Sequence, residues 1–217
     1  MNANWPYDSV VVTGPDAQSY LHSQLSQDLR GLAVDAQTWS FVLEPTGRVD
    51  ALVFVRRTGE ERFELRVDRG WGDALVTRLN RFRIRVQADI VLGDGSEGDP
   101  TAYLEQRIRA AWPAMGAEIT EGTIPAELPN VVAIAVSFSK GCYPGQELVE
   151  RMDSRAAQAP RRLALVHLER GQVLDSAIGS ITSTMQEGDG DLALALVRRG
   201  IEVPGEDALT KSIVDAR

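Results

Sequence analysis

Cys142 is the single thiol of the chain, and it stands in Lys140-Gly141-Cys142-Tyr143-Pro144-Gly145-Gln146-Glu147, ahead of a helical pattern. With Pro144 in the first turn of that helix, the sulfur would face free N–H groups and the positive end of the helix dipole, which stabilise a thiolate. Lys140 would add a second positive charge. The chemistry open to such a sulfur is that of a nucleophile, a cluster ligand or a redox-sensitive thiol. Gly141 and Gly145 bracket it without side chains, so the backbone can take positive φ and a ligand can approach the main-chain amides. A nucleophilic enzyme would also need a base beside the thiol. The two histidines, His22 and His167, lie far from Cys142 in sequence and read as ordinary helix and strand residues.

A second chemical candidate is Asp50, in Gly47-Arg48-Val49-Asp50, just after a turn and among the apolar Val49, Leu52 and Phe54. That setting predicts a partly buried carboxylate, either poised for proton chemistry or paired with Arg48. Most aromatic residues belong to a core at this frequency, while Trp112 and Tyr143 are suited to stack on a planar ligand.

Elements must hold these groups in place. Thr13-Gly14-Pro15 followed by Ala17, Tyr20, Leu21, Leu25 and Leu29 predicts an amphipathic helix over about 15–29. Residues 38–43 and 49–55, joined by Glu44-Pro45-Thr46-Gly47, read as a β-hairpin. In 62–68, Phe63, Leu65 and Val67 alternate with charged residues, the pattern of a half-buried strand. Helical spacing returns over Trp71–Phe82 and an extended pattern over Ile84–Leu92. A glycine- and acid-rich connection over 93–100 follows, then a helix near 102–111. The β-branched run 131–137 predicts a buried strand delivering Cys142, followed by a helix over 146–157. Beyond Pro160, strands at 163–168, 179–185 and 192–199 form a small appendage. The fold class is therefore α+β with largely antiparallel sheets, divided into a body of residues 1–158 and a C-terminal unit of 159–217.

Composition narrows the partners. The 217 residues are 43% hydrophobic and 25% charged, with no apolar run long enough for a membrane span. The N-terminus lacks the basic, apolar and small-residue blocks of a secretory signal, so the expected location is the cytoplasm. A net charge of −8 argues against direct nucleic-acid binding, although ten arginines between Arg48 and Arg85 would make a local positive patch if they shared a side. One cysteine and two distant histidines supply no metal site within a single chain.

The octapeptide around Cys142 resembles the KGCYxGQE signature of the YgfZ proteins, folate-binding relatives of the glycine-cleavage aminomethyltransferase T-protein. The likeness continues through Gly14-Pro15-Asp16-Ala17, Gln24-Leu25-Ser26-Gln27-Asp28, Pro45-Thr46-Gly47-Arg48, Leu79-Asn80-Arg81-Phe82, Arg107-Ile108, Ile124-Pro125-Ala126-Glu127 and Gly179-Ser180-Ile181-Thr182-Ser183, spanning residues 7 to 200. The resemblance implies an α+β folate-binding body with a C-terminal β-barrel, and a role in maintaining iron-sulfur enzymes, including those that thiolate tRNA. It also implies tetrahydrofolate or a related reduced folate as cofactor, with iron-sulfur assembly or client proteins as partners. Lys140, Cys142, Tyr143, Gln146 and Glu147 carry over as site residues, with Gly141, Gly145 and Arg48 beside them. Asp50 falls where the T-protein has its catalytic aspartate. Arg109 stands where the T-protein has the glutamate that reads the pterin, and Ala156 and Ala157 replace an expected glycine. Three readings follow: an accessory folate-binding protein with Cys142 as its working thiol, a one-carbon transferase using Asp50, and a scaffold whose pocket Arg109 fills.

Overall fold

The computed structural model describes residues 4–154 and 159–215. Ala156 and Ala157, and with them the expected boundary at 158, lie outside those residues. Five antiparallel strands form the main sheet in the order β2-β3-β4-β1-β5, where β1 is Tyr7–Thr13, β2 Gln37–Leu43, β3 Val49–Gly59, β4 Arg62–Asp68 and β5 Asp89–Ser96. Alternation in β4 puts Phe63, Leu65 and Val67 fully inside, beneath α1 (Ala17–Gln24) and α2 (Gly72–Arg81). The opposite face is covered too. Helix α3 (Pro100–Arg109) and the loop after it lie over Asp68 and Trp39, so the polar face of β4 is only partly open to solvent.

Several elements differ from the sequence reading. The run 131–137 is not a strand: α4 spans Pro129–Ala135. Its burial pattern explains why. Val131, Val132 and Ala135 are buried while Ala133 and Ile134 are exposed, a helical period that a core strand would not show, and Pro129 is suited to the first turn. Helix α1 stops at Gln24 instead of continuing to 29, because Leu25 turns extended to bridge Val42 and the Ser26 N–H reaches the Phe41 carbonyl. The expected loop at 93–100 is shorter, since β5 runs on to Ser96 and the Asp99 side chain caps α3 through the amides of Thr101 and Ala102.

The C-terminal residues form an open three-stranded sheet in the order β6-β8-β7, where β6 is Arg161–Glu169, β7 Gly179–Glu187 and β8 Gly190–Arg198. Among the described residues it does not close into the barrel that the resemblance implied. Leu163, Leu165, Leu192, Leu194 and Leu196 on one face join the core of the main sheet. The other face packs a smaller cluster of Ala164, Val166, Ala195 and Val197. A last helix, α6, spans Ala208–Asp215. No helix among the described residues is long and apolar enough to cross a membrane. The arginines between 48 and 85 largely form ion pairs rather than one open patch, among them Arg56–Asp35, Arg57–Glu60, Arg66–Glu64, Arg69–Glu97 and Arg83–Asp89.

The two sheets are tied by a buried polar cluster. Glu118 has no exposed surface and pairs with Arg107 of α3 at 2.8 Å; it also accepts hydrogen bonds from the Ala114 amide and from the Thr182 and Ser183 hydroxyls of β7. A register shift between Ile181 and Ser183 inserts an extra residue in β7, and that bulge lets two consecutive side chains face the same carboxylate. Truncation of one partner would leave the other charge buried and unpaired. Glu118→Ala is therefore expected to cost about 3–5 kcal/mol in urea denaturation, and Arg107→Met combined with Glu118→Leu considerably less.

Candidate functional site

Two sites emerge, one at the cysteine loop and one on the face of the main sheet that α3 covers. Cys142 is exposed. Its loop is clamped onto the β2–β3 hairpin: Gly145 has φ +80°, and a Cβ there would lie 2.5 Å from the Glu44 carbonyl oxygen. The hairpin answers with Gly47, whose own Cβ would lie 2.5 Å from Leu148 Cβ. Helix α5 (Gln146–Ser154) begins two residues after Pro144, so the proline precedes the helix instead of opening it, and Cys142 sits farther from the helix end than the sequence predicts.

Lys140 does not point its charge out beside the thiol. It is buried, and its Nζ donates to the main-chain carbonyls of His22 and Leu25, the latter at 2.5 Å, where it caps the C-terminal end of α1. The same ammonium lies 4.9 Å from the centroid of the Tyr143 ring. Burial pushes Lys140 down to about 8 and Tyr143 up to about 12. Gln146 donates to Glu150 at 2.5 Å and Glu147 is exposed. The signature thus carries a large structural share. Its lysine closes a helix, its tyrosine packs inward, and its second glycine fits against the hairpin, while Gly141, Cys142 and Glu147 face solvent.

Asp50 is ion-paired, but with Arg78 of α2 at 2.7 Å and not with Arg48, which is exposed at the turn. A register shift from Val42↔Ala51 to Leu43↔Val49 leaves Asp50 as the extra residue of a bulge, and the bulge aims it at α2. Arg78 also donates to the Leu43 carbonyl at 2.7 Å and lies over the Phe82 ring, so it joins hairpin, α2 and α1. Arg109 forms an ion pair with Glu187 of β7 and does not enter the second site.

That second site is a cleft of about 170 Å³ lined by Trp5, Trp39, Trp112, Tyr103, Gln106, Arg107 and Ala110. It gathers three of the four tryptophans. Trp39 and Trp112 have ring centroids 4.6 Å apart, Trp5 and Trp39 5.5 Å, and Trp5 and Tyr103 6.3 Å in a stacked arrangement. Trp5 is buried and forms the floor, while Trp39, Trp112 and Tyr103 are half-exposed walls. Beneath them Asp68 accepts the Trp5 indole N–H at 2.7 Å, the Tyr103 hydroxyl at 3.2 Å and the Met115 amide at 2.7 Å. Burial raises the Asp68 carboxyl above its ordinary range, and these three donors work against that rise. Sequence reasoning singled out Trp112 alone. Trp39 alternates inward on β2, which a period-two count could have found; Trp5, Tyr103 and Asp68 come from three separate elements and share no local signal. Among the described residues no group of three or more His, Cys, Asp and Glu side chains is placed to hold a metal ion.

No protein-family model matches the sequence. A protein of Haemophilus influenzae, itself uncharacterized, is 27% identical over 190 residues, which cover 70% of this chain and 68% of that protein. The crystal structure of the glycine cleavage system aminomethyltransferase T from Bartonella henselae superposes with a TM-score of 0.73 over 91% of this chain and 77% of that one, at 18% identity. The fold is T-protein-like. At that identity the likeness speaks for the fold alone, and the α+β architecture with antiparallel sheets agrees with it.

Two outcomes follow from this geometry. Gly145→Ala meets both a left-handed backbone and the Glu44 carbonyl, and is expected to lose about 1–3 kcal/mol of stability, read as a lower melting temperature with faster thiol labelling at Cys142. Asp68 holds its proton to higher pH when folded than when unfolded, so its contribution to stability falls as pH rises from the unfolded value of 3.8 through the raised folded one. Urea midpoints across that window should show this downward slope in the wild type, and Asp68→Asn should lack it.

Proposed function

We propose that this chain is a folate-binding, aminomethyltransferase-like protein that acts as an accessory factor, with the flat ring of a reduced folate stacked in the aromatic cleft and Cys142 presented separately at the turn of the β2–β3 hairpin. The observation that carries the reading is the cleft itself, three tryptophans and a tyrosine around a cavity in a T-protein-like fold. Stacking on such rings is worth about 1–3 kcal/mol per aromatic base. The cleft is small against the roughly 300–1,000 Å³ of a site for a drug-sized ligand, so it suits the ring and leaves the rest of the molecule outside. Support for iron-sulfur enzymes, and through them tRNA modification, rests on the likeness of residues 140–147 to the YgfZ signature. Cys142 is the working thiol in this reading, with Gly141 and Glu147 beside it and Lys140, Tyr143, Gly145 and Gln146 shaping the loop.

An accessory role is favoured over transfer catalysis by what the candidate groups are already doing. Asp50 is held by Arg78, the His22 ring accepts the Leu29 amide, and the His167 ring pairs with Asp207 at 2.8 Å. Arg109 lies against Glu187, so the reading in which it fills the pocket loses its support.

Calorimetric titration with tetrahydrofolate is expected to show binding that weakens at least about ten-fold in Trp112→Ala and is unchanged in Cys142→Ala. Cys142→Ala should instead fail to restore iron-sulfur enzyme activities in a strain lacking the protein. Absence of heat with the wild type at high ligand concentration would overturn the folate assignment, and turnover of a methylamine donor that disappears in Asp50→Asn would establish the transferase in its place.

A further inference from the structure

We propose that the aromatic cleft is a binding site for a flat, delocalised organic cation. Its walls recognise faces rather than edges: of the seven lining residues, four are aromatic, Ala110 is apolar, and only Gln106 and Arg107 are polar. The charge of the guanidinium is already paired. Its Nη1 is held by Glu118 at 2.8 Å and lies 3.4 Å from the Trp112 carbonyl, and its Nη2 donates to Ser183 at 2.5 Å. An anionic group entering the cleft would meet a guanidinium whose charge is already paired with Glu118, and would have Asp68 and Glu118 behind the walls. With both acids ionised, that buried cluster carries one formal negative charge.

The rings are tuned in the same direction. Trp5 and Tyr103 direct their N–H and O–H at one carboxylate oxygen of Asp68, at 2.7 and 3.2 Å. A hydrogen bond to an anion pushes electron density into the ring, which deepens the negative potential over its face. Aromatic faces attract cations by about 2 kcal/mol or more where water is excluded, and a planar cation adds stacking area that a compact ammonium lacks. The indoles of Trp39 and Trp112 are only partly buried, and a ligand in the cleft would cover part of what remains of their faces.

One extension rests on the folate reading. Among the one-carbon forms of reduced folate, the methenyl-bridged form carries an amidinium whose positive charge is delocalised next to the ring, and it is the form these walls would select over uncharged tetrahydrofolate rings.

The test is calorimetric titration of the full chain near neutral pH with N-methylquinolinium and with quinoline, which is uncharged there, followed by methenyltetrahydrofolate and tetrahydrofolate. The cation is expected to bind at least about ten-fold more tightly than its neutral counterpart in each pair. That preference should be lost in Trp112→Leu and largely kept in Trp112→Phe, with Trp39→Leu as a second wall variant, all checked for native circular dichroism. Equal affinity for quinoline and N-methylquinolinium, or a preference that survives both leucine variants, overturns the proposal. Equal affinity for the two folates overturns the extension and leaves the folate reading standing. A quinolinium preference without binding of either folate upholds the cation site and removes the folate reading.

Discussion

Glu118 is a carboxylate with no exposed surface, and a charge so placed is tolerable only if every neighbour is arranged to compensate it. Arg107 supplies the opposite charge from α3, Ala114 a main-chain donor from the following loop, and Thr182 and Ser183 two hydroxyls from β7. Three parts of the chain therefore converge on one oxygen pair. That convergence fixes how α3 lies across the main sheet and where the C-terminal sheet docks. The cleft follows from it, because α3 carries Tyr103 and Gln106 beside Arg107, and the same guanidinium reaches the carbonyl of Trp112.

The cysteine loop rests on a different kind of constraint, close approach without side chains. Gly47 and Gly145 let the loop and α5 lie directly on the hairpin, and Lys140 then closes the end of α1 from the side, tying hairpin, loop and first helix together. The exposed sulfur is carried on a tightly braced scaffold.

Two β-bulges change what side chains can do. Period-two alternation alone assigns each strand residue to a face, and one inserted residue breaks that count locally. In β3 the insertion turns Asp50 toward Arg78 and away from the pairing with Arg48 that sequence proximity suggests. In β7 it brings Thr182 and Ser183 to the same acid. Both effects require knowing the partner strand's register, which local sequence does not contain.

Much of the architecture was legible in local pattern. The alternation of Phe63, Leu65 and Val67, the Glu44–Gly47 turn between two apolar runs and the three C-terminal strands each follow from periods that a short stretch of chain expresses by itself. The run 131–137 misled because β-branched composition and helical burial period disagreed, and tertiary contacts settled the matter in favour of the helix. The octapeptide marked where a special loop lies, since glycines flanking a lone thiol are a local feature. What Lys140 does there was decided by the end of α1, more than a hundred residues earlier in the chain. The cleft was beyond local reading altogether: Trp5, Trp39, Tyr103 and Trp112 come from four segments, and their meeting over Asp68 depends on how α3 packs across the sheet. Sequence by itself determines periods, turns and the identity of reactive atoms, because these depend on neighbours along the chain. Only the tertiary structure decides which charges are compensated and which rings face a common space, because those depend on neighbours through it.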